Sequence, residues 1–246
     1  MNANSDHAPE RSRSGVLVRL MGGFEAAVSG TPISLPLDAQ RLVAFLAIEG
    51  QPRSRAYVGG KLWSEGSQER AFGNLRSALW RVRREVPSLL LADSLTVSVH
   101  PGVRIDVREI DDMARCLGGN RSDELDLQLD HRHFSGELLA GWYDEWTLVE
   151  RERLRQVCLH ALESIAMRLL AARRFAGALE AALAAVSLEP LRESAHRVLI
   201  EIHLSEGNHA EAIRHYEQFA TLIEKELGLR PSPIIQQQMS SLQVAV

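Results

Sequence analysis

Residues 67–86 read SQERAFGNLRSALWRVRREV, and the fold turns on how this stretch is laid out. Ser67 can accept a hydrogen bond from the first turn of a helix, Glu69 and Arg70 open the run, and Pro87 halts it. At about 100° per residue, Ala71, Leu75, Leu79, Val82 and Val86 fall on one stripe that must face a core. The opposite face then presents Gly73, Arg76, Ser77, Trp80 and Arg84, flanked by Asn74, Arg81 and Arg83. An ordinary surface helix rarely exposes a tryptophan among arginines. A helix that enters a DNA major groove uses these residue types: guanidinium forks for guanine edges or phosphates, a small hydroxyl, and a flat apolar body against thymine methyls or sugars.

The sequence on either side frames that helix. Before it, Val16–Met21, Phe24–Val28 and Thr31–Leu35 read as short strands, with Gly22-Gly23 and Ser29-Gly30 as turns. Pro36 ends them. Leu37–Glu49 carries Leu42, Val43, Phe45 and Leu46 on a helical stripe and closes at Gly50 and Pro52; Ser54 can cap a short second helix through Leu62. Behind the third helix, Leu89–Ala92 and Leu95–Val99 are apolar strands with a two-residue turn expected at Asp93-Ser94, and a third strand is expected over Val103–Asp106. Three helices with strands before them and a hairpin after them describe a winged helix-turn-helix. The run Gln40-Arg41-Leu42 through Trp63, then Asn74-Leu75-Arg76-Ser77 and Arg81-Val82-Arg83-Arg84, resembles the DNA-binding domain of response-regulator (OmpR-type) activators.

Charge supports a polyanion site in the same place. The whole chain carries 28 Lys+Arg and 32 Asp+Glu, net -4, but residues 51–87 hold 8 basic and 3 acidic side chains. Arg76, Ser77, Trp80 and Arg84 are the expected base-edge or groove contacts; Arg70, Arg81 and Arg83 are the expected phosphate contacts. Arg53 and Arg55, just before the second helix, could clamp phosphates beside its N-terminus, or serve only as solvated loop charges. The alternative for the whole basic face is a docking helix for an acidic protein partner.

From Asp111 onward strand signals vanish. A helix is expected over Asp111–Leu117, then a linker from Gly118-Gly119-Asn120 through an acidic stretch to Asp130, then helices near Arg151–Ala172, Phe175–Leu188, Arg192–Glu206 and His209–Leu227. Arg174-Phe175-Ala176-Gly177-Ala178-Leu179 overlies Asn208-His209-Ala210-Glu211-Ala212-Ile213 at a shift of 34 residues, the tetratricopeptide period, with Ala178 and Ala212 at the small-residue position where two helices approach. Such repeats share one continuous core and are binding scaffolds. The expected fold is therefore mostly α with a small β component: a disordered arm over 1–14, a winged helix over 15–110, and an all-α repeat domain over 111–246.

Two segments of this half carry a second resemblance. Phe134-Ser135-Gly136-Glu137-Leu138-Leu139, Trp142-Tyr143-Asp144-Glu145-Trp146 and Glu150-Arg151-Glu152-Arg153-Leu154, with the ending Glu226-Leu227-Gly228-Leu229-Arg230-Pro231-Ser232-Pro233, resemble the bacterial transcriptional activator domain. An OmpR-type winged helix followed by that domain is similar in architecture to the antibiotic regulatory protein (SARP) family. The resemblance implies a transcriptional activator that binds direct repeats of double-stranded DNA as a homodimer, contacts RNA polymerase and controls a secondary-metabolite gene cluster. A repressor with the same DNA contacts would read identically from the residues alone.

Other chemistry finds little support. There is no run of eighteen apolar residues for a membrane span, and no signal-peptide pattern follows Arg11 and Arg13. Cys116 and Cys158 do not suggest a disulfide framework, so the expected compartment is the cytoplasm. His131-Arg132-His133 offers two imidazoles without a third ligand at metal spacing, so no metal or other cofactor is expected. Asp144 and Glu145 between Trp142 and Trp146 could mimic a sugar platform, but tryptophans four apart on a helix would share one face and anchor it to the first repeat. No phosphate-binding glycine loop and no Gly-x-Ser-x-Gly elbow occurs, so no enzyme is expected.

Overall fold

The computed structural model describes residues 15–118 and 131–243. The arm read over 1–14 lies outside the described residues, as does the linker read from Gly118 to Asp130 apart from Gly118 itself, which ends the helix before it. The chain divides into two compact units: one runs to Glu109 and includes Leu138–Tyr143, and the other comprises Ile110–Glu137 with the residues from Asp144 on.

In the first unit the chain forms β1 (Val16–Arg19), β2 (Glu25–Val28), β3 (Thr31–Ile33), α1 (Leu37–Glu49), β4 (Arg53–Ser54), α2 (Arg55–Leu62), α3 (Gln68–Glu85), β5 (Leu90–Ala92), β6 (Thr96–Val99) and β7 (Arg104–Ile105). β1, β2 and β3 make an antiparallel meander, and β7 adds to it parallel to β1, giving the order β3-β2-β1-β7. Ser29 and Gly30 both take positive φ, 50° and 83°, the pair of left-handed residues that a tight hairpin turn requires. Val16, Val18 and Leu20 alternate inward, while Leu42, Val43 and Leu46 of α1, Val58 and Leu62 of α2, and Leu75, Leu79 and Val82 of α3 are buried. At about 25 cal/mol per Å² of apolar surface, burying each such side chain contributes about 1.5–3 kcal/mol.

The hairpin after α3 belongs to a second sheet, ordered β4-β6-β5. Its turn differs by one residue from expectation. Asp93 is paired, its N–H donating to the Thr96 carbonyl at 3.1 Å, so Ser94 and Leu95 form the turn and Leu95 is 74% exposed. The cause is the Asp93 carboxylate, which accepts from the Leu95 and Thr96 N–H groups at 2.7 Å each and from Thr96 Oγ1 at 2.9 Å. The two-residue strand β4 was not foreseen; Arg53 pairs with Val97 and Ser54 with Thr96.

Two devices close this unit. Asp106, at the start of α4 (Asp106–Gly118), turns its half-buried carboxylate back to the end of β1, accepting from the N–H groups of Leu20 at 2.8 Å and Met21 at 3.0 Å. That interaction is why α4 begins at Asp106, where a strand was expected to end. The segment Leu138–Tyr143 then returns to the same strand end: Leu138 bridges Met21, and the Leu139 N–H donates to the Leu20 carbonyl at 2.8 Å. Trp142 stacks on Phe24 with ring centroids 6.4 Å apart. The expected shared helix face of Trp142 and Trp146 is thereby corrected. Leu139 and Gly141 adopt positive φ, 47° and 82°, which keeps Trp142 out of the helix that carries Trp146.

The second unit is helical. After a 3-10 turn at His131–Phe134 come α5 (Glu145–Ala171), α6 (Phe175–Leu188), α7 (Glu193–Glu206), α8 (His209–Leu227) and α9 (Pro233–Gln243). α5 starts six residues before the position expected, and α9 was not expected. α6 and α8 begin 34 residues apart, and Ala178 and Ala212 are both fully buried, as the repeat pattern requires. Ala178, Ala181, Ala182 and Ala185 line the buried side of α6, so α5 can approach closely; a Cβ on Gly177 would meet Leu169 Cδ1 at 3.3 Å. Phe219 and Ile223 of α8 and Ile235 of α9 close the far end of the core with Ile200. Cys116 and Cys158 are unbridged, and burial pushes the Cys158 thiol up to about 11, well away from thiolate reactivity. Among the described residues no helix is long and apolar enough to cross a membrane, and no group of three His, Cys, Asp or Glu could hold a metal ion.

Candidate nucleic-acid interface

α3 is built as a two-faced helix. Ser67 Oγ accepts from the Arg70 N–H at 3.3 Å and caps its start, while Arg83 and Arg84 in the last turn oppose the negative end of the helix dipole. Ala71, Leu75, Ala78, Leu79 and Val82 are buried against α1 and α2. Gly59 of α2 is buried beside Ala71, where a Cβ would stand 3.7 Å from the alanine methyl, so the two helices of the helix-turn-helix lie close. With one face fixed in the core, the other is held outward as a rigid surface.

That surface presents Arg76, Ser77, Trp80 and Arg84, all exposed, with Trp80 at 60%. The Arg70 and Arg76 guanidinium groups make no ion pair or hydrogen bond among the described residues, so their donors are available. Ser77 Oγ donates to the Gly73 carbonyl at 3.1 Å, which leaves its lone pairs as acceptors. The Arg84 guanidinium lies 5.0 Å from the Trp80 ring centroid and also pairs with Glu85 at 2.7 Å. An exposed tryptophan under a guanidinium offers an apolar plate and a cation within one helical turn.

The other predicted contacts are engaged inside the unit. Arg81 is ion-paired to Asp38 at the start of α1. Arg53 donates to Glu49 at 2.6 Å and lies 5.5 Å from the Tyr57 ring, and the same Glu49 accepts from the Tyr57 hydroxyl at 2.9 Å. That hydrogen bond raises the Tyr57 pKa above its ordinary value. Arg55 Nη1 donates to the Asp93 carbonyl at 2.7 Å, and Arg83 Nη2 to the Ala92 carbonyl at 2.9 Å. Both therefore tie a helix end to the hairpin, Arg55 from α2 and Arg83 from α3. The hairpin turn is stiffened as well: hydrogen bonds from Thr96 and Leu95 hold the Asp93 carboxyl below its ordinary pKa.

A helix-turn-helix with a three-stranded wing is joined in sequence to stacked helix pairs, and known proteins are similar to this chain in both parts. Residues 126–243 match the bacterial transcriptional activator domain. The chain is 28% identical over 238 residues to the regulatory protein AfsR of Streptomyces coelicolor, a match covering 92% of this chain and 23% of AfsR. It therefore spans about a quarter of that relative's length. Among solved structures, Mycobacterium tuberculosis EmbR, determined in complex with a low-affinity phosphopeptide, has a TM-score of 0.74 at 18% identity, covering 94% of this chain and 65% of that one. At that identity the likeness shows the fold: a winged helix followed by an all-α domain.

Proposed function

We propose that this chain is a sequence-specific DNA-binding activator. Two copies occupy direct repeats near a promoter, each laying α3 in the major groove, and the helical unit recruits RNA polymerase to a secondary-metabolite gene cluster. The observation that carries the reading is the outward face of α3, where Arg76, Ser77, Trp80 and Arg84 stand together on a helix whose opposite side is locked in the core.

Within this reading, Arg76 and Arg84 address base edges, Ser77 accepts from a base amino group, and Trp80 packs on an apolar edge. Arg70 contacts phosphate. Arg55 and Arg83 address phosphates on the side of the hairpin with the donors that Asp93 and Ala92 leave over. Arg53 and Arg81 serve mainly to hold α1 in place, because Glu49 and Asp38 already neutralise them. A carboxylate partner within 4 Å competes with phosphate for the same cation.

The test is binding of the full chain to duplex DNA across a salt series. With six or so phosphate contacts, affinity falls by about a thousandfold between 50 and 200 mM salt. A weak dependence, with an acidic protein captured in place of DNA, would favour the docking-helix alternative.

A further inference from the structure

Resting on α3 as the DNA-reading face, we propose that Trp80 and Arg84 act as a single unit that reads a thymine and a guanine at adjacent base-pair levels. The indole would pack on the thymine 5-methyl group, and the guanidinium would take O6 and N7 of the neighbouring guanine.

Three observations carry this. Trp80 is 60% exposed on a rigid helix, and an indole has one donor, no acceptor and a broad apolar face. The thymine methyl is the one apolar group that a base pair presents in the major groove, so it is the complement such a plate fits. Next, the guanidinium carbon of Arg84 lies 5.0 Å from the ring centroid. Successive bases rise by about 3.4 Å, so a plate set against one pair places a cation stacked over it at the level of the next. Glu85 supplies the third. Its Oε1 accepts from Arg84 Nε at 2.9 Å and from Nη2 at 2.7 Å, fixing the inner edge of the guanidinium. Nη1 and the second Nη2 hydrogen remain unpaired, and together they form the end-on fork that guanine O6 and N7 accept. The indole orients the guanidinium from its face while Glu85 orients it from its edge, so the fork is ordered before it meets DNA.

A patch that docked protein would need more apolar area. Trp80 is bordered by Arg76, Ser77, Arg83 and Arg84, all exposed, and this polar surround suits a groove better than an apolar partner surface.

The experiment uses the full chain and the duplex it enriches from a fragment library. Each thymidine is replaced singly by deoxyuridine, which removes only the methyl, and each guanine singly by 7-deazaguanine, which removes only N7. The expected result is one thymine in each repeat whose methyl loss weakens binding about fourfold. The adjacent guanine should show an N7 loss of about tenfold or more. Trp80→Ala abolishes the deoxyuridine effect and weakens the 7-deazaguanine effect, because the guanidinium loses the plate that orients it, and Arg84→Ala abolishes the latter. Wild-type binding indifferent to every methyl, or sensitive thymines and guanines that are not neighbours, would overturn the proposal while leaving DNA recognition by α3 standing. So would a Trp80→Ala protein as sensitive to methyl loss as the wild type. Enrichment of no duplex, with a protein partner held through Trp80, would overturn both.

Discussion

The helical unit contains a hydrogen-bonded histidine pair whose titration can be worked out from its geometry. His196 is 3% exposed on α7, its ring stacked on Phe219 and on His215 with centroids 4.1 and 4.9 Å away. His196 Nε2 lies 2.8 Å from the Pro190 carbonyl, which can only accept, so this nitrogen carries the proton. His196 Nδ1 is then bare and accepts from the His215 Nε2–H at 2.9 Å. Both rings are thus neutral in the folded chain. Burial lowers the His196 pKa despite the opposing pull of Glu193, and burial aided by His196 and His203 lowers His215 from 6.5 to about 4. The sign follows. Between pH 6.5 and about 4 the unfolded chain binds protons that the folded pair refuses, so stability falls as pH falls across that window. Lowering His215 from 6.5 to about 4 corresponds to roughly 3 kcal/mol at about 1.4 kcal/mol per tenfold, less some screening because His215 is only half-buried. His215→Gln keeps an N–H donor for His196 and does not titrate. Urea unfolding followed by circular dichroism at pH 7.5, 6, 5 and 4 should show wild type losing about 2–3 kcal/mol more than the variant across the series. The carboxyl of Glu163 is held below its ordinary range by Arg192 and Ser194 against an opposing desolvation, so its contribution is lost only below that range, and equally in both proteins. Parallel pH curves would refute the assignment of protons in the pair.

Three further outcomes are expected. Asp106→Ala strips the acceptor from the Leu20 and Met21 N–H groups and should cost about 3 kcal/mol in chemical denaturation; a loss under 1 kcal/mol would show that the carboxylate does not fasten α4 to β1. Ala178→Leu and Ala212→Leu should each destabilise by about 1–3 kcal/mol, because both sites are fully buried where helices approach; unchanged melting would contradict the close packing. Arg81→Ala should change stability by under 1 kcal/mol and leave the salt slope of DNA binding intact, whereas Arg70→Ala should flatten that slope by about one unit; the reverse order would show that Asp38 releases Arg81 to DNA.

Most of the frame was legible in the residues because local signals there agree. In α3 the apolar period, the Ser67 cap and the Pro87 stop all name the same helix, and the exposed face follows from geometry once the buried face is assigned. The 34-residue echo placed α6 and α8 for the same reason. The differences share one origin, a partner distant in sequence or a side chain that competes with the backbone. Asp93 was read as a turn residue but spends its carboxylate on Leu95 and Thr96, moving the turn on by one. Asp106 finds its partners at Leu20 and Met21, which no local pattern could reveal. Trp142 has the spacing of a helical neighbour of Trp146, yet the return of Leu138–Tyr143 to β1 gives it Phe24 instead. One signal was present and underused. Proline is favoured as the first residue of a helix, and α9 begins at Pro233, with the Ser232 N–H donating to Glu193 at 2.9 Å. On the candidate interface, the arginines could be named from the sequence but not their occupancy. Glu49 and Asp38 lie on α1, so their capture of Arg53 and Arg81 becomes visible only in three dimensions.

The most direct test of the account is to pass the purified full chain over a genomic fragment library at physiological salt and sequence what it retains, with Arg76→Ala run in parallel. The account predicts a spaced direct repeat strongly enriched by the wild type, and relaxed at one base pair of each repeat in the variant. A folded protein that retains fragments no differently from the input would contradict it.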